Sequence, residues 1–288
     1  MESDILTDDE NETKRERDDF DDFKNEQPKE ATNASEVATA ALPALKGMLS
    51  EYTILPVKAT EEEKRAGLAN PSLLPLVGGL IGLVIIILIK VVEVLEESLG
   101  VMMGPFFAIL ILALPFVLFR FKFFGSMVRF GHALFPGSSE NTGVPVAGIG
   151  LSIFAIGGSM ILYVMLAGFI GTFFLGLIAA IVEICVLNAL ASANAWANGK
   201  VINVISLIVT LICTVVASLV WMVIQGNIVT GIIIAAVVIS ILSTLCGIAV
   251  AAISKKKLGE VTTDAIGASA ELSRLWIIGF TIMSVMLL

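Results

Sequence analysis

The last three quarters of this sequence contain almost no charge. Charged residues make up 15% of the 288 residues, whereas a soluble domain has about 25%. Residues 1–65 hold 18 of the 26 acids and 9 of the 18 bases, and the stretches 144–182, 201–224 and 228–253 have none. About 20 apolar residues cross a bilayer, and a soluble core cannot use so many helices that are apolar on every side. The sequence therefore predicts an all-α polytopic membrane protein with about seven transmembrane helices.

Cysteine and histidine are also scarce, with three cysteines and one histidine in the chain. Cys185, Cys213 and Cys246 fall inside apolar stretches, and an odd, dispersed set gives neither a disulfide framework nor the spacing of a metal site. We interpret them as packing residues. His132 lies in the segment FGHALFPGSSENTG, which is typical of a loop. The acidic pI of about 4.8 argues against nucleic acid as a partner.

The distribution of charge divides the chain into three regions. Residues 1–35 are polar and rich in charge, which predicts a disordered acidic cytoplasmic tail. Residues 36–72 form an amphipathic segment and a linker, with a helix expected at the membrane surface over 36–50 and polar linker sequence (EEEKR) at 61–65. Residues 73–288 form the transmembrane domain. Its predicted spans are 73–92, 101–119, 145–166, 168–190, 201–224, 228–253 and 275–288.

Lysine and arginine predict the orientation of these spans. Outside the spans, every basic residue lies in residues 1–72, 120–144, 191–200 or 254–274, which all fall on one side if the spans alternate. Short cytoplasmic loops carry the excess of Lys and Arg. We therefore expect a multi-pass protein of the plasma membrane, in contact with membrane lipid, whose N-terminus is cytoplasmic.

Two features stand out inside the predicted spans. Gly78 and Gly82 form a G-x-x-x-G pattern, which is typical of a face where helices pack closely. Such small-residue faces also permit oligomerisation. Glu183 is an intramembrane carboxylate, and because its burial is costly it is a functional candidate. Alternatively, it lies near the cytoplasmic end of its helix and extends to the interface.

A second acidic feature lies near the C-terminus, in LGEVTTDAIGASAELSR (258–274). Asp264 and Glu271 are seven residues apart, which is about two turns of a helix. On a helix the two side chains therefore point the same way. This predicts a helix that packs closely against another part of the protein or a ligand and presents its two carboxylates there. The alternative is structural: Asp264 helps to start the helix, and Glu271 pairs with Arg274 at i, i+3.

The same segment resembles the family of adenosylcobinamide-GDP ribazoletransferases, also called cobalamin synthases. The family pattern LGG-x-TGD-x-LGA-x-x-EL is similar to residues 258–272. Three further segments resemble the family in the same order along the chain: MLSEYTILPV (48–57), LLPLVGGLIGL (73–83) and FGHALFPG (130–137).

The resemblance implies an integral membrane enzyme that joins α-ribazole or its 5′-phosphate to adenosylcobinamide-GDP and releases GMP. This is the lower-ligand attachment step of adenosylcobalamin (vitamin B12) biosynthesis, and the family uses Mg²⁺. The expected partners are therefore corrinoid and ribazole substrates. The site residues that it implies are Asp264, Glu271 and His132 in catalysis, Arg129 and Arg274 at the substrate phosphates, and Asp264, Glu271 and Glu140 at the metal.

The chain departs from this family in one respect. No aspartate occurs between Asp22 and Asp264, so the acidic loop in which the family holds Mg²⁺ is missing. Two other functions stay open, the first because of this loss and the second because seven spans with one intramembrane acid allow it. The first is a catalytically inactive relative that acts as a membrane scaffold or binds a corrinoid. The second is a small-molecule transporter with an intramembrane acid.

Cysteines introduced at Asn227 and Ser138 in a cysteine-free background test the predicted orientation. An impermeant thiol reagent added to intact cells should label Asn227→Cys, in a predicted external loop, and spare Ser138→Cys, in a predicted cytoplasmic loop. The opposite labelling pattern contradicts a cytoplasmic N-terminus.

Overall fold

The computed structural model describes residues 34–101, 104–136, 145–225 and 230–287, and within these ranges it contains helices and no strand. The predicted all-α class is confirmed. The helices are α1 Ala34–Tyr52, α2 Glu61–Ala69, a 3₁₀ turn Pro71–Leu73, α3 Leu74–Leu99, α4 Gly104–Leu118, α5 Lys122–Leu134, α6 Val146–Ala197, α7 Val204–Gln225, α8 Thr230–Leu258 and α9 Thr263–Leu287.

Six helical segments in the described ranges are long and apolar enough to cross a membrane. They are Pro71–Leu99, Val146–Ile170, Phe174–Ala197, Val204–Ile224, Ala236–Leu258 and Thr263–Met283. The pair α4 and α5, which is bent by 84°, makes a seventh if it is counted as one span. This agrees with the prediction of about seven, and the chain is a polytopic membrane protein.

Helix α6 contains two of these spans and must fold back on itself between them. On α9, the guanidinium of Arg274 pairs with Glu183, while the side chain of Leu275 lies against Gly158. A straight helix would separate Gly158 and Glu183 by roughly 38 Å, too far for two adjacent residues to reach. The two halves, α6a (Val146–Ile170) and α6b (Phe174–Ala197), are therefore separate spans.

The G-x-x-x-G face of α3 packs against α6b, as predicted for a close-packing face. A Cβ atom added to Gly78 would lie 2.7 Å from the carbonyl oxygen of Glu183, and one added to Gly82 would lie 3.0 Å from the Cβ of Ala180. The two backbones are thus in direct contact. This face is filled from within the chain, and it fixes the part of α6b that carries Glu183.

Helix α5 corrects the prediction of a loop over residues 120–144. Phe123, Met127 and Phe130 recur at helical spacing and are buried, whereas Lys122 and Arg129 are exposed. This amphipathic pattern forms a helix over Lys122–Leu134 and was too short and too polar to be predicted as a span.

His132 lies in the last turn of this helix rather than in a loop. The joint between α4 and α5 is formed by Arg120 and Phe121, whose φ angles of 53° and 55° are left-handed. Residues other than glycine rarely adopt this backbone conformation, and here it produces the sharp bend between the two helices.

The segment EEEKR at 61–65 also forms a helix, α2, and the linker prediction is wrong there. Thr60 and Glu63 make a reciprocal capping box, which satisfies two backbone N–H groups at the helix start. Lys46 of α1 donates a hydrogen bond to Glu63 at 2.7 Å, and this contact lowers the pKa of Glu63. The predicted tail lies outside the described residues, apart from its last two residues, which begin α1.

Helices α1 and α2 pack together and dock on the transmembrane helices. Ala44 and Met48 of α1 are fully buried. Just after α1, the Ile54 N–H donates to the carbonyl oxygen of Leu118 at 2.8 Å. Lys122 lies 4.7 Å from the centre of the Tyr52 ring, and burial raises the pKa of Tyr52 to about 12.

Candidate functional site

Three charged side chains meet inside the helix bundle. Glu183 of α6b is 1% exposed, and Glu271 and Arg274 of α9 are 2% and 1% exposed. Arg274 Nη1 donates to Glu183 Oε1, and Arg274 Nε donates to Glu271 Oε2 at 3.1 Å. We call these three residues the charged cluster. The i, i+3 pairing of Glu271 with Arg274, left open from the sequence, is confirmed.

Glu183 occupies the middle of its span rather than an end. It lies 14 residues before Ala197, where α6b ends, which corresponds to roughly 21 Å along the helix axis. Its carboxylate points to Arg274 inside the bundle. The interpretation that Glu183 extends to the membrane interface is therefore wrong.

Close helix packing positions the cluster. The contact of Gly78 with the backbone at Glu183 holds α3 against α6b, and Ala270, next to Glu271 on α9, is fully buried. Phe116 at the end of α4 covers the guanidinium of Arg274, with 5.5 Å from its carbon Cζ to the ring centre. The aromatic face adds a cation–π contact to this buried guanidinium.

The cluster has more acid than base. Two carboxylates face one guanidinium, so with all three groups ionised the cluster has one excess negative charge. Glu183 Oε2 and Arg274 Nη2 are buried without a hydrogen-bond partner among the described residues. A buried carboxylate oxygen with no partner is costly in a membrane. A proton on Glu183 Oε2 would make the cluster neutral.

Two hydroxyl groups of α6a lie in the same region. The Tyr163 hydroxyl is buried beside Arg274 and Glu183 and interacts with both electrostatically. Ser159, one turn earlier on the helix, is 1% exposed, and its Oγ has no described partner. These groups extend the polar region from the cluster along α6a.

A second, separate contact involves Asp264 at the start of α9. Arg129 of α5 places Nε and Nη2 each 2.9 Å from Asp264 Oδ1. The Arg129 side chain is 64% exposed and that of Asp264 is 28% exposed. Helix α9 begins at Thr263, and Thr262 Oγ1 accepts a hydrogen bond from the Ala265 N–H. The predicted helix start at this position is confirmed.

The residues that the resemblance implies do not form one site in the structure. Asp264 is paired with Arg129, and Glu271 is paired with Arg274. His132 Nδ1 is buried without a partner among the described residues. Glu140 lies outside the described residues.

The magnesium ligands that the resemblance implies are not brought together among the described residues. Both predicted carboxylate ligands that the structure describes are occupied by arginines, and in the described part of the chain no three His, Cys, Asp or Glu residues group together as metal ligands. Mg²⁺ prefers an octahedral set of oxygen ligands. Magnesium binding stays a prediction.

The sequence marks Glu183 as a candidate but indicates little of what surrounds it. Arg274 is 91 positions away from Glu183, and no local pattern connects them. Tyr163 is one of two tyrosines and lies in an uncharged span, which is the one signal that could have suggested a buried polar role. Phe116 could not be told apart from the other aromatic residues of apolar segments.

Comparison with protein-family models, curated proteins and solved structures finds no match to this chain. The fold and the site define its class. It is an all-α polytopic membrane protein that encloses a buried cluster of two carboxylates and one guanidinium.

Replacing Arg274 and replacing Glu183 should lower the free energy of unfolding by different amounts. Arg274→Gln leaves two buried carboxylates, which should lower the free energy of unfolding by about 3–5 kcal/mol. Glu183→Gln keeps the balanced Glu271–Arg274 pair and should lower it by only about 1–2 kcal/mol. Melting midpoints in detergent at neutral pH measure both losses.

Lowering the pH gives a second readout of the same experiment. The loss caused by Arg274→Gln should shrink in acid, because protonation removes the repulsion between the two carboxylates. Glu61→Gln, a change at an exposed residue of α2, should leave the midpoint unchanged. Equal losses for the two cluster variants would contradict the charge count.

Proposed function

We propose that this protein is a proton-coupled membrane transporter in which Glu183 binds the proton. One observation carries the proposal: the charged cluster, buried in the middle of a span, has one carboxylate more than it has guanidinium groups. Ionisable groups at such depth are typical of proton relays and substrate pathways. The unpartnered Glu183 Oε2 is the atom available to the proton.

Protonation of Glu183 changes the attraction between α6b and α9. When Glu183 is ionised, its pairing with Arg274 draws the two helices together. When it is protonated, Arg274 stays paired with Glu271 on its own helix, and the charge attraction across the helices is lost. A group that titrates between these two states can bias the packing of the bundle.

The proposed location is the plasma membrane, with a cytoplasmic N-terminus. One observation supports this orientation beyond the sequence. Ser72 Oγ, just before α3, donates to Asn203 Oδ1, just before α7, at 3.0 Å, so both helices start at the same face. The basic residues of α8, Lys255–Lys257, lie in its last turn, and the positive-inside rule makes the face that carries them cytoplasmic.

Charge displacement after a pH jump tests this function without a known substrate. Proteoliposomes adsorbed on a solid-supported membrane should give a transient current when the external pH is lowered, because protons bind inside the membrane. Glu183→Gln should abolish this current, whereas Glu61→Gln should leave it unchanged. An undiminished current in Glu183→Gln, or no current in the unaltered protein, would reject the proposal.

Ribazole transfer is a second candidate, and one observation favours it. The resemblance places residues 129–132 and 258–272 in one site, and the contact between Arg129 and Asp264 brings these segments together. Attack on a phosphorus of a diphosphate depends on positioning and neutralisation of charge. Arg129 would contact a phosphate of adenosylcobinamide-GDP once it left Asp264.

Release of GMP from adenosylcobinamide-GDP and α-ribazole 5′-phosphate tests this candidate. If it is correct, the purified protein should release GMP, and Arg129→Ala should lower the rate at least about tenfold, since the arginine makes a charge-assisted contact. The assay should be run with and without Mg²⁺. Absence of GMP release under both conditions would discard ribazole transfer.

A further inference from the structure

The buried cluster is covered on one side by the bend between α4 and α5. Phe116, before the bend, faces Arg274. After the bend, Ser126 packs on α9 so closely that a Cβ added to Gly267 would lie 2.5 Å from the Ser126 side chain. Gly267 is one helical turn from Glu271, about 6 Å along the axis. Helix α5 therefore lies between the cluster and the face that carries Asp264.

Polar groups without partners extend from the cluster towards α5. Helix α6a runs in the same direction as α9, because Gly158 contacts Leu275 and Gly279 contacts Leu162. Ser159, whose hydroxyl has no partner among the described residues, lies one turn before Tyr163 on α6a. It is therefore on the side of Tyr163 that leads to Gly148, and Gly148 contacts Val128 of α5. Buried polar atoms without protein partners are typical places for water.

Helix α5 packs in two places. Phe123, near its start, belongs to the main core, whereas Met127 and Phe130, towards its end, belong to a smaller apolar cluster that they share with α6a, α8 and α9. At one end of α5, Arg120 and Phe121 form the left-handed joint. On its exposed side, Arg129 and Asp264 form the one ion pair between α5 and α9 among the described residues. Lys122 of α5 also lies 3.5 Å from Glu51 of α1. Exposed ion pairs of this kind are weak.

We propose that α5 is a lid that opens the charged cluster to water from the face that carries Asp264. Arg120 and Phe121 are its hinge, and the Arg129–Asp264 pair is its latch. The lid rests on the proposed function, since it gives the proton site access to one side of the membrane. When the latch breaks, α5 swings from Gly267, and water reaches the unpartnered hydroxyl of Ser159 and, one turn further, the hydroxyl of Tyr163 beside Arg274.

Labelling of a cysteine at position 159 tests the lid independently of proton binding. Ser159→Cys is made in the full chain with Cys185, Cys213 and Cys246 replaced by alanine, and it is labelled in detergent by a charged methanethiosulfonate reagent. Asp264→Asn and Arg129→Asp should each raise the labelling rate about two- to fivefold, as expected for loss of an exposed ion pair. The double variant Arg129→Asp/Asp264→Arg should restore the slow rate.

Hydrogen–deuterium exchange supplies a second measurement that needs no cysteine. Backbone amides of residues 122–134 should exchange faster in Asp264→Asn, with no change in residues 204–224. Glu61→Gln breaks an exposed ion pair on α2 and should alter neither readout.

The outcomes separate the lid from the proposed function. Equal labelling and exchange in the latch variants and the parent would overturn the lid and leave the proton site untouched. Rapid labelling of position 159 with the latch intact would also overturn it. Absence of a pH-jump current together with faster labelling in the latch variants would reject proton coupling while supporting a moving α5.

Discussion

The guanidinium of Arg274, held between two buried carboxylates, is the interaction on which the arrangement of the bundle depends. A bilayer offers no water to these groups, so each must find its partner inside the protein. Arg274 therefore fixes α9 against α6b through Glu183, while Glu271 supports it from its own helix. The glycine at position 78 brings α3 onto the same stretch of α6b. The cluster is the point where three spans meet.

The excess acid in this cluster gives the fold its proposed function. A structural ion pair needs one carboxylate for one guanidinium, and the surplus carboxylate has an oxygen with no described partner. Asp264, two turns before Glu271, points the same way but lies at the surface and pairs with Arg129. The two acids, which the sequence presents as one feature, thus have different surroundings: Glu271 lies in the charged cluster, and Asp264 pairs with Arg129 of α5.

The sequence predicts what depends on local pattern and composition. Long uncharged runs predict the spans, the pair Gly78 and Gly82 predicts a packing face, and Asp264 predicts the start of α9. Contacts across the bundle are not encoded locally, so nothing near Glu183 identifies Arg274 as its partner. Helix α5 was missed because a short amphipathic helix with two basic residues has the composition of a loop. The EEEKR segment was missed because three adjacent acids look like linker until the cap at Thr60 is considered.

Infrared difference spectroscopy of the purified protein tests the central claim most directly, because a protonated carboxyl group has a C=O stretch apart from that of a carboxylate. When the pH of the unaltered protein is lowered from neutral, the account predicts that a protonated carboxyl band appears, that it shifts with ¹³C-labelled glutamate, and that it is missing in Glu183→Gln. A spectrum without this band, or a band that Glu183→Gln leaves unchanged, would contradict the assignment of the proton to Glu183.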